Sequence, residues 1–469
     1  MKFQNLNEKE QNINNLNEKK NNKSNPEENE INMIIKISEN DLYKNIYFLD
    51  NIDDEKDEIK LKSEHNKLTE MNETNTDLYV NNIKYKFQKF FIFDKIGNYD
   101  IKIKLKFLIK DCSFMFYNCE QLISIDLSKF NSINAINMER MFCCCDNLLD
   151  LNLSNLITKN VMNMKSMFFD CKKLTNIDLS SFDTKNVNIM TSLFNGCENL
   201  KDIDLSHFDT KNVTEIMQMF YGCKSLYFID LSSFETPKII NMESMFSGCE
   251  KLIKLDLSNF DTTNVTDMTQ IFYDCKNLTD INLSNFDTRN VVTMSGMFDS
   301  CENLTSLDIS HFNTNNVNDM SFMFHRCIKL QNLNVLNFNT KNATDLKSMF
   351  SRCENLLTLD LSNFDIQNAK DISQMFYGCK SLVSLDLSHF DTRKVTNMNS
   401  LFCYCEAMNY LNISNFNTSN VEEMKFLFHG CYSLTNIISS NFNIKDGVPT
   451  VKMFYNCCNF IKKNFSYFK

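Results

Sequence analysis

Three consecutive cysteines, Cys143, Cys144 and Cys145, stand in the stretch MFCCCDNL (141–148) and are the residues best equipped for chemistry. Adjacent thiols are the material of metal sites, redox centres and disulfide knots. Six histidines and many aspartates are the other groups that could ligate a metal or move a proton. What these residues can do depends on what places them, and here the spacing says more than the residue types.

Stepping from Cys145 by 26 residues meets Cys171, Cys197, Cys223, Cys249, Cys275, Cys301, Cys327, Cys353, Cys379, Cys405, Cys431 and Cys457, and one step back meets Cys119. Three residues before each of these fourteen cysteines stands a Phe, from Phe116 to Phe454. A second Phe column runs from Phe130 to Phe442 and is broken only by Leu156. The unit reads LxxLDLSxFDTxNVxxMxxMFxxCxx, as in LIKLDLSNFDTTNVTDMTQIFYDCKN (252–277). Internal repeats of this length are the signature of a stacked architecture.

Within the unit, LxxLDLS alternates apolar and polar residues and predicts a half-buried strand. VxxMxxMFxxC spaces apolar residues three or four apart, which predicts a short helix or a 3₁₀ turn. One unit cannot bury its own apolar face, so stacking is required for a core. The expected fold is therefore an α/β solenoid, a leucine-rich-repeat-like stack of about 13 coils with one long parallel sheet on the order of 60–65 Å in length. The repeats occupy 111–458, with a short end at 459–469.

This frame reassigns the reactive residues. In a parallel stack equivalent cysteines point the same way, so bridging neighbours would strain the geometry. Buried, reduced thiols are expected, which favours a reducing compartment. Cys145 is one rung of the column, and Cys143 and Cys144 are substitutions beside it. The Asp column (Asp126, Asp178, Asp204, Asp230, Asp256, Asp308, Asp360, Asp386, with Asn at 152, 282, 334 and 412) faces outward. It reads as a hydrated ladder accepting hydrogen bonds from serines such as Ser180 and Ser206. A calcium site is the weaker reading, because no Gly-containing loop accompanies the acids. The column Lys172, Glu198, Lys224, Glu250, Lys276, Glu302 alternates in sign and predicts ion pairs between neighbours. His207, His311 and His389 share a column but lie three and four coils apart, and His325 and His429 are four coils apart. No shared metal site, cofactor site or catalytic group is expected, nor any His meeting an Asp–Ser pair. One outward column, two residues before each Asp, varies freely. Asp202, Phe228, Lys254, Asp280 and Tyr410 stand in it as candidate partner-binding residues, with Phe228 and Tyr410 as exposed aromatics.

Ahead of the repeats, residues 1–30 are rich in Asn, Glu and Lys and read as a disordered tail. Residues 31–110 read as a small β-rich cap. MIIKIS (33–38) and NIYFLD (45–50) predict strands, and YVNNIKYKF (79–87) predicts a hairpin turning at Asn81-Asn82. IKIKLKFLIK (101–110) alternates apolar residues with lysines, either as the edge of a cap or as a basic binding face, and 51–78 reads as a loop. A net charge of -10 leaves no electrostatic footprint for nucleic acid. Nothing has the length of a membrane span, and no secretion signal or lipid anchor is visible.

LxxLDLSxF is close to the leucine-rich repeat pattern, with Phe in place of the usual Asn. The longer unit NVTDMTQIFYDCKNLTDINLSNFDT (264–288) resembles the BspA-like repeats of microbial surface proteins. That resemblance implies a non-catalytic adhesion module that binds protein or glycan partners at the cell surface. The alternative is an intracellular interaction scaffold, which the absent signal and reduced thiols favour, so cytoplasmic and surface locations both stay open.

Overall fold

The computed structural model describes residues 29–52, 68–440, 442 and 444–457. Most of the expected tail, much of the expected 51–78 loop, His65 and the end at 459–469 lie outside them. The chain forms a β-solenoid of about 12 turns, and its architecture follows from how one coil is closed and bonded to the next.

The amino-terminal unit comes first. Strand β1 (Glu30–Ile37) is followed by a 3₁₀ turn at Glu39–Asp41, then β2 (Asn45–Tyr47), β3 (Thr76–Val80), β4 (Ile83–Tyr85), β5 (Phe90–Ile92) and β6 (Gly97–Leu105). The hairpin turns at Asn81 and Asn82 as expected, both with positive φ (48° and 63°), the backbone that a tight two-residue hairpin loop demands. The lysine-studded alternation holds from Ile101 to Leu105, whose apolar residues are buried, but the strand stops there instead of reaching 110. Lys104 pairs with Glu30 at 2.6 Å, and Lys106 and Lys84 both reach Asp77. These lysines are thus partnered within the sheet.

Strand β1 lies antiparallel between β6 and β7 (Leu122–Asp126), with Met33 opposite both Ile101 and Ile125. Since β7 is the strand of the first repeat, β1 covers the edge that the solenoid would otherwise leave unpaired.

The repeats then follow one another in parallel. The strand positions form ladders at β7 with β8 (Asp150–Asn152), at β9 (Lys254–Asp256) with β10 (Asp280–Asn282), and at β11 (Ser384–Asp386), β12 (Tyr410–Asn412) and β13 (Asn436–Ile438). The expected single long sheet is thus corrected to short ladders. A second row of parallel bridges joins the coils on another side, from Asp111–Asn137 through Asp267–Thr293 to Asn397–Glu423.

The α in the expected α/β class is also corrected. Among the described residues the 3₁₀ turn at Glu39–Asp41 is the only helical element. The segment VxxMxxMFxxC is a string of turns with two left-handed residues per coil, such as Arg140 (φ 52°) and Cys144 (φ 60°). A right-handed helix cannot hold such residues. Each closes an i to i+3 turn, as where Met141 N–H donates to Met138 C=O and Cys145 N–H to Phe142 C=O. The N–H groups left over donate to the next coil instead: Met138 to Asn163, Arg140 to Lys165, Phe142 to Met167 and Cys144 to Phe169. Most backbone donors in the segment are thereby bonded without a helix, with Glu139 N–H donating to the Asn137 side chain.

Inside, the cysteine-linked Phe column is one continuous stack from Phe116 to Phe454, with ring planes 1–24° apart and centroids 5.4–6.1 Å apart. Polar rungs run beside it. Buried Thr288 donates from Oγ1 to Asn313 C=O and accepts from Asn313 N–H, one coil on. Asn290 donates from Nδ2 to Thr263 C=O, one coil back. Side chains thus do between coils what backbone ladders do in a sheet.

Candidate ligand-binding face

The outward face is built from strand residues whose alternates are buried. In the coil around 228 these are Phe228 and Asp230, exposed on either side of buried Ile229. Parallel register sets Lys254 beside Asp280 and Asp256 beside Asn282. The result is a grid of three coils by two columns, with rows about 4.8 Å apart.

The Asp column at the inner edge of this grid is a set of turns. Asp256 Oδ1 accepts from Ser258 N–H at 3.0 Å and Asp230 Oδ1 from Ser232 N–H at 2.9 Å. The asparagines do the same, as Asn152 does with Ser154 N–H. The expected serine partners are therefore present, but through backbone N–H groups of the same coil. These bonds hold the carboxyls of Asp178, Asp256, Asp360 and Asp386 below the usual range, with the serine N–H as leading cause. At Asp204 and Asp308 the serine hydroxyl leads. The face therefore carries ionised carboxylates at neutral pH.

Three of the five candidate residues come together. Phe228, Lys254 and Asp280 line one depression of about 690 Å³, together with Asp230, Asp256, Asn259 and Asn282. Lys254 Nζ lies 3.4 Å from the Asp280 carboxylate, with both side chains mostly exposed. Asp202 is one coil away and accepts from the Tyr227 hydroxyl at 3.2 Å. Tyr410 is five repeats beyond Asp280 and half-buried on β12, which corrects its reading as an exposed aromatic. Tyr227 and Ile253, both 48% exposed beside Phe228 at 55%, belong to the same face but not to the expected column. Their signal was an apolar residue directly after a buried Leu, at Leu226 and Leu252. Further shallow depressions open on the same face around Leu333 and around Leu359.

The reactive residues elsewhere have structural partners. The described cysteines are free, and every one except Cys144 is buried. From Cys145 onward each thiol of the column donates to the carbonyl of a Phe in the preceding coil, as Cys275 Sγ does to Phe246 C=O at 3.2 Å, while Cys119 Sγ bonds Tyr117 C=O. Burial pushes these thiols up, to about 12 at Cys223 and Cys275, so they stay protonated. Cys143 packs against Phe114 and Tyr117, with its Sγ 3.5 Å from that of Cys144. His207, His311 and His389 each bond a leucine carbonyl of the preceding coil. One constellation departs from the expectation that no His meets an Asp–Ser pair. His325 Nδ1 lies 2.9 Å from Asp299 Oδ1, which also accepts from Ser300 Oγ at 2.8 Å. The hydroxyl is bonded to the acid and not to the imidazole, so the nucleophile–base contact of a hydrolytic triad is not made. The alternating charge column forms pairs in one direction only. Lys172 reaches Asp146, Lys224 reaches Glu198, Lys276 reaches Glu250 and Lys380 reaches Glu354, each in the preceding coil.

Among the described residues no group of three or more His, Cys, Asp or Glu is placed to hold a metal ion. No helix among them is long and apolar enough to cross a membrane.

Comparison with known proteins gives one firm relationship. No curated protein matches the chain. Among solved structures, the crystal structure of a TLR13–ssRNA13 complex matches at 18% identity, with a TM-score of 0.22, over 56% of this chain. This chain spans 46% of that one. Seven overlapping family matches cover 81–202, 110–226, 144–254, 190–307, 240–358, 275–385 and 380–468. Together they take in most of the 469 residues, and the chain belongs to the family described as Mycoplasma protein of unknown function, DUF285.

Proposed function

We propose that this is a non-catalytic binding protein, adhesin-like in the manner of the BspA-like repeats its unit resembles, which holds protein or glycan partners on the exposed strand face. The observation that supports it best is the depression lined by Phe228, Lys254 and Asp280, with Asp202 in the adjoining coil. Exposed aromatic residues next to satisfied polar groups are where binding energy concentrates. The columns of Cys, Thr, Asn and Phe are engaged in bonding coil to coil, which leaves the variable strand positions as the part of the repeat available for recognition.

The test is replacement of Asp202, Phe228, Lys254 and Asp280 together by Ser. Wild-type protein and variant are compared on immobilised matrix proteins and glycans, with circular dichroism to check the fold. Loss of retention with an unchanged spectrum is the expected result, and unchanged retention overturns the proposal.

A second reading, an intracellular interaction scaffold, is favoured by the free, buried cysteines, which suit a reducing compartment. Localisation of a tagged chain, with titration of its native thiols, separates the two.

A further inference from the structure

We infer that the depression at Phe228 is a subsite for an arginine side chain of a partner polypeptide. This rests on the binding reading above and narrows it to one class of partner. The depression joins an aromatic ring 55% exposed to solvent with carboxylates on neighbouring coils, Asp230 and Asp256. In each carboxylate Oδ1 is already held by a serine N–H, so the group is fixed in orientation before any partner arrives. Among the described residues the one cation lining the depression, Lys254, is within ion-pairing distance of Asp280, and its charge is answered there. The remaining charge of the depression is negative.

A cation fits this arrangement, and its shape is specified. A guanidinium is planar, so it can lie on the Phe228 ring and direct its edge N–H groups at two carboxylates together. An ammonium is a point charge that does not combine stacking with a bidentate fork. Tyr227 and Ile253, each 48% exposed, extend an apolar shoulder beside Phe228 that suits the residue next to the arginine in the partner. Elsewhere on the face, Asp308 and Asp360 have the same turn geometry, but Ser306 and Thr358 stand where Phe228 stands here. The sequence of the face therefore contains its own control.

The experiment measures binding of fluorescein-labelled oligoarginine, oligolysine and oligocitrulline peptides of equal length to the full chain by anisotropy. Oligoarginine is expected to bind more tightly than oligolysine, with oligocitrulline weakest. The double variant Asp230→Asn with Asp256→Asn should weaken oligoarginine binding about tenfold, as expected for loss of charge-assisted bonds. Phe228→Leu, which keeps an apolar side chain but removes the ring, should weaken it about two- to fivefold. Lys254→Ala should tighten it, and Asp308→Asn with Asp360→Asn should change it less than about twofold. Equal binding of arginine and lysine peptides, or equal losses from the two double Asn variants, would overturn the subsite. If the peptides fail these tests while the fourfold Ser replacement still abolishes retention on matrix proteins or glycans, the arginine assignment falls and the binding face stands. Failure of both removes the face as well.

Discussion

At the scale of single residues, the repeat is held together by side chains that stand in for backbone. The Thr column shows the principle most directly. Thr288 is buried, and its one hydroxyl both donates to Asn313 C=O and accepts from Asn313 N–H. Valine has nearly the same shape but can do neither. Thr288→Val is therefore expected to lose about 1–3 kcal/mol by leaving two backbone groups unpaired, a loss to be read from denaturant midpoints. An unchanged midpoint would mean that water replaces the hydroxyl at no cost. The chain contains a natural exception in buried Ile366, which occupies this column. Cys145 was recognisable as structural from spacing alone, because thirteen other cysteines keep its interval. Its carbonyl partner, Phe116, was not, because a thiol bonded across coils leaves no trace in the order of residues.

At the scale of the element, the turn segment shows why apolar spacing misled. Met138, Met141 and Phe142 are three and four apart, as in a helix, yet they line one side of consecutive turns. The missing signal was the residue before each cysteine, which is Gly at 196, 222, 248, 378 and 430 and Asn or Asp at 118, 170, 274 and 456. Those types tolerate positive φ, and the backbone there requires it. At Gly248 a Cβ would also meet Gly222 backbone at 3.3 Å, so two reasons select glycine. The strand corner offers the opposite case, where the residue type was clear and its bond was not. Asp204, Asp256 and Asp308 have carboxyl pKa values lowered by their serines. A lowered value in the folded state means that stability is fully present above the unfolded value, near 3.9, and is lost as pH falls through the folded one. Asp→Asn at 204, 256 and 308 together keeps the turn, as Asn152 does. It should leave the denaturant midpoint at pH 7 little changed and reduce the loss on acidification below about pH 4. A large loss at pH 7 would show that the charge itself, and not the turn, sustains the corner.

For the whole molecule, the legible part was the period, and the period dictates how the solenoid responds to change. Fourteen cysteines without an insertion told of a stack, because only a structure in which each coil meets its neighbours constrains every residue at the same interval. What the period could not tell was which side of the coil carries the ladders, since that depends on backbone conformation at two positions per unit. The consequence can be checked by deletion. Removing residues 264–289 takes out one full repeat and places each column in register again, with Phe246 above Phe298 and Thr262 able to meet Asn313. A cooperatively folded protein with a lower thermal midpoint is expected, as one interface is lost from a nearest-neighbour stack. Removing half as many residues, 264–276, shifts the strand positions against the turn segments and sets polar outward residues into the Phe stack, so no native-like circular dichroism is expected. The full deletion also removes Lys276 and sets Glu250 against Glu302, like against like. Removing two repeats, 238–289, sets Lys224 against Glu302 instead. Added salt should therefore raise the midpoint of the one-repeat deletion more than that of the two-repeat deletion, by an amount corresponding to less than about 1 kcal/mol. Equal salt responses would show that the alternating charges have no part in keeping the coils in register.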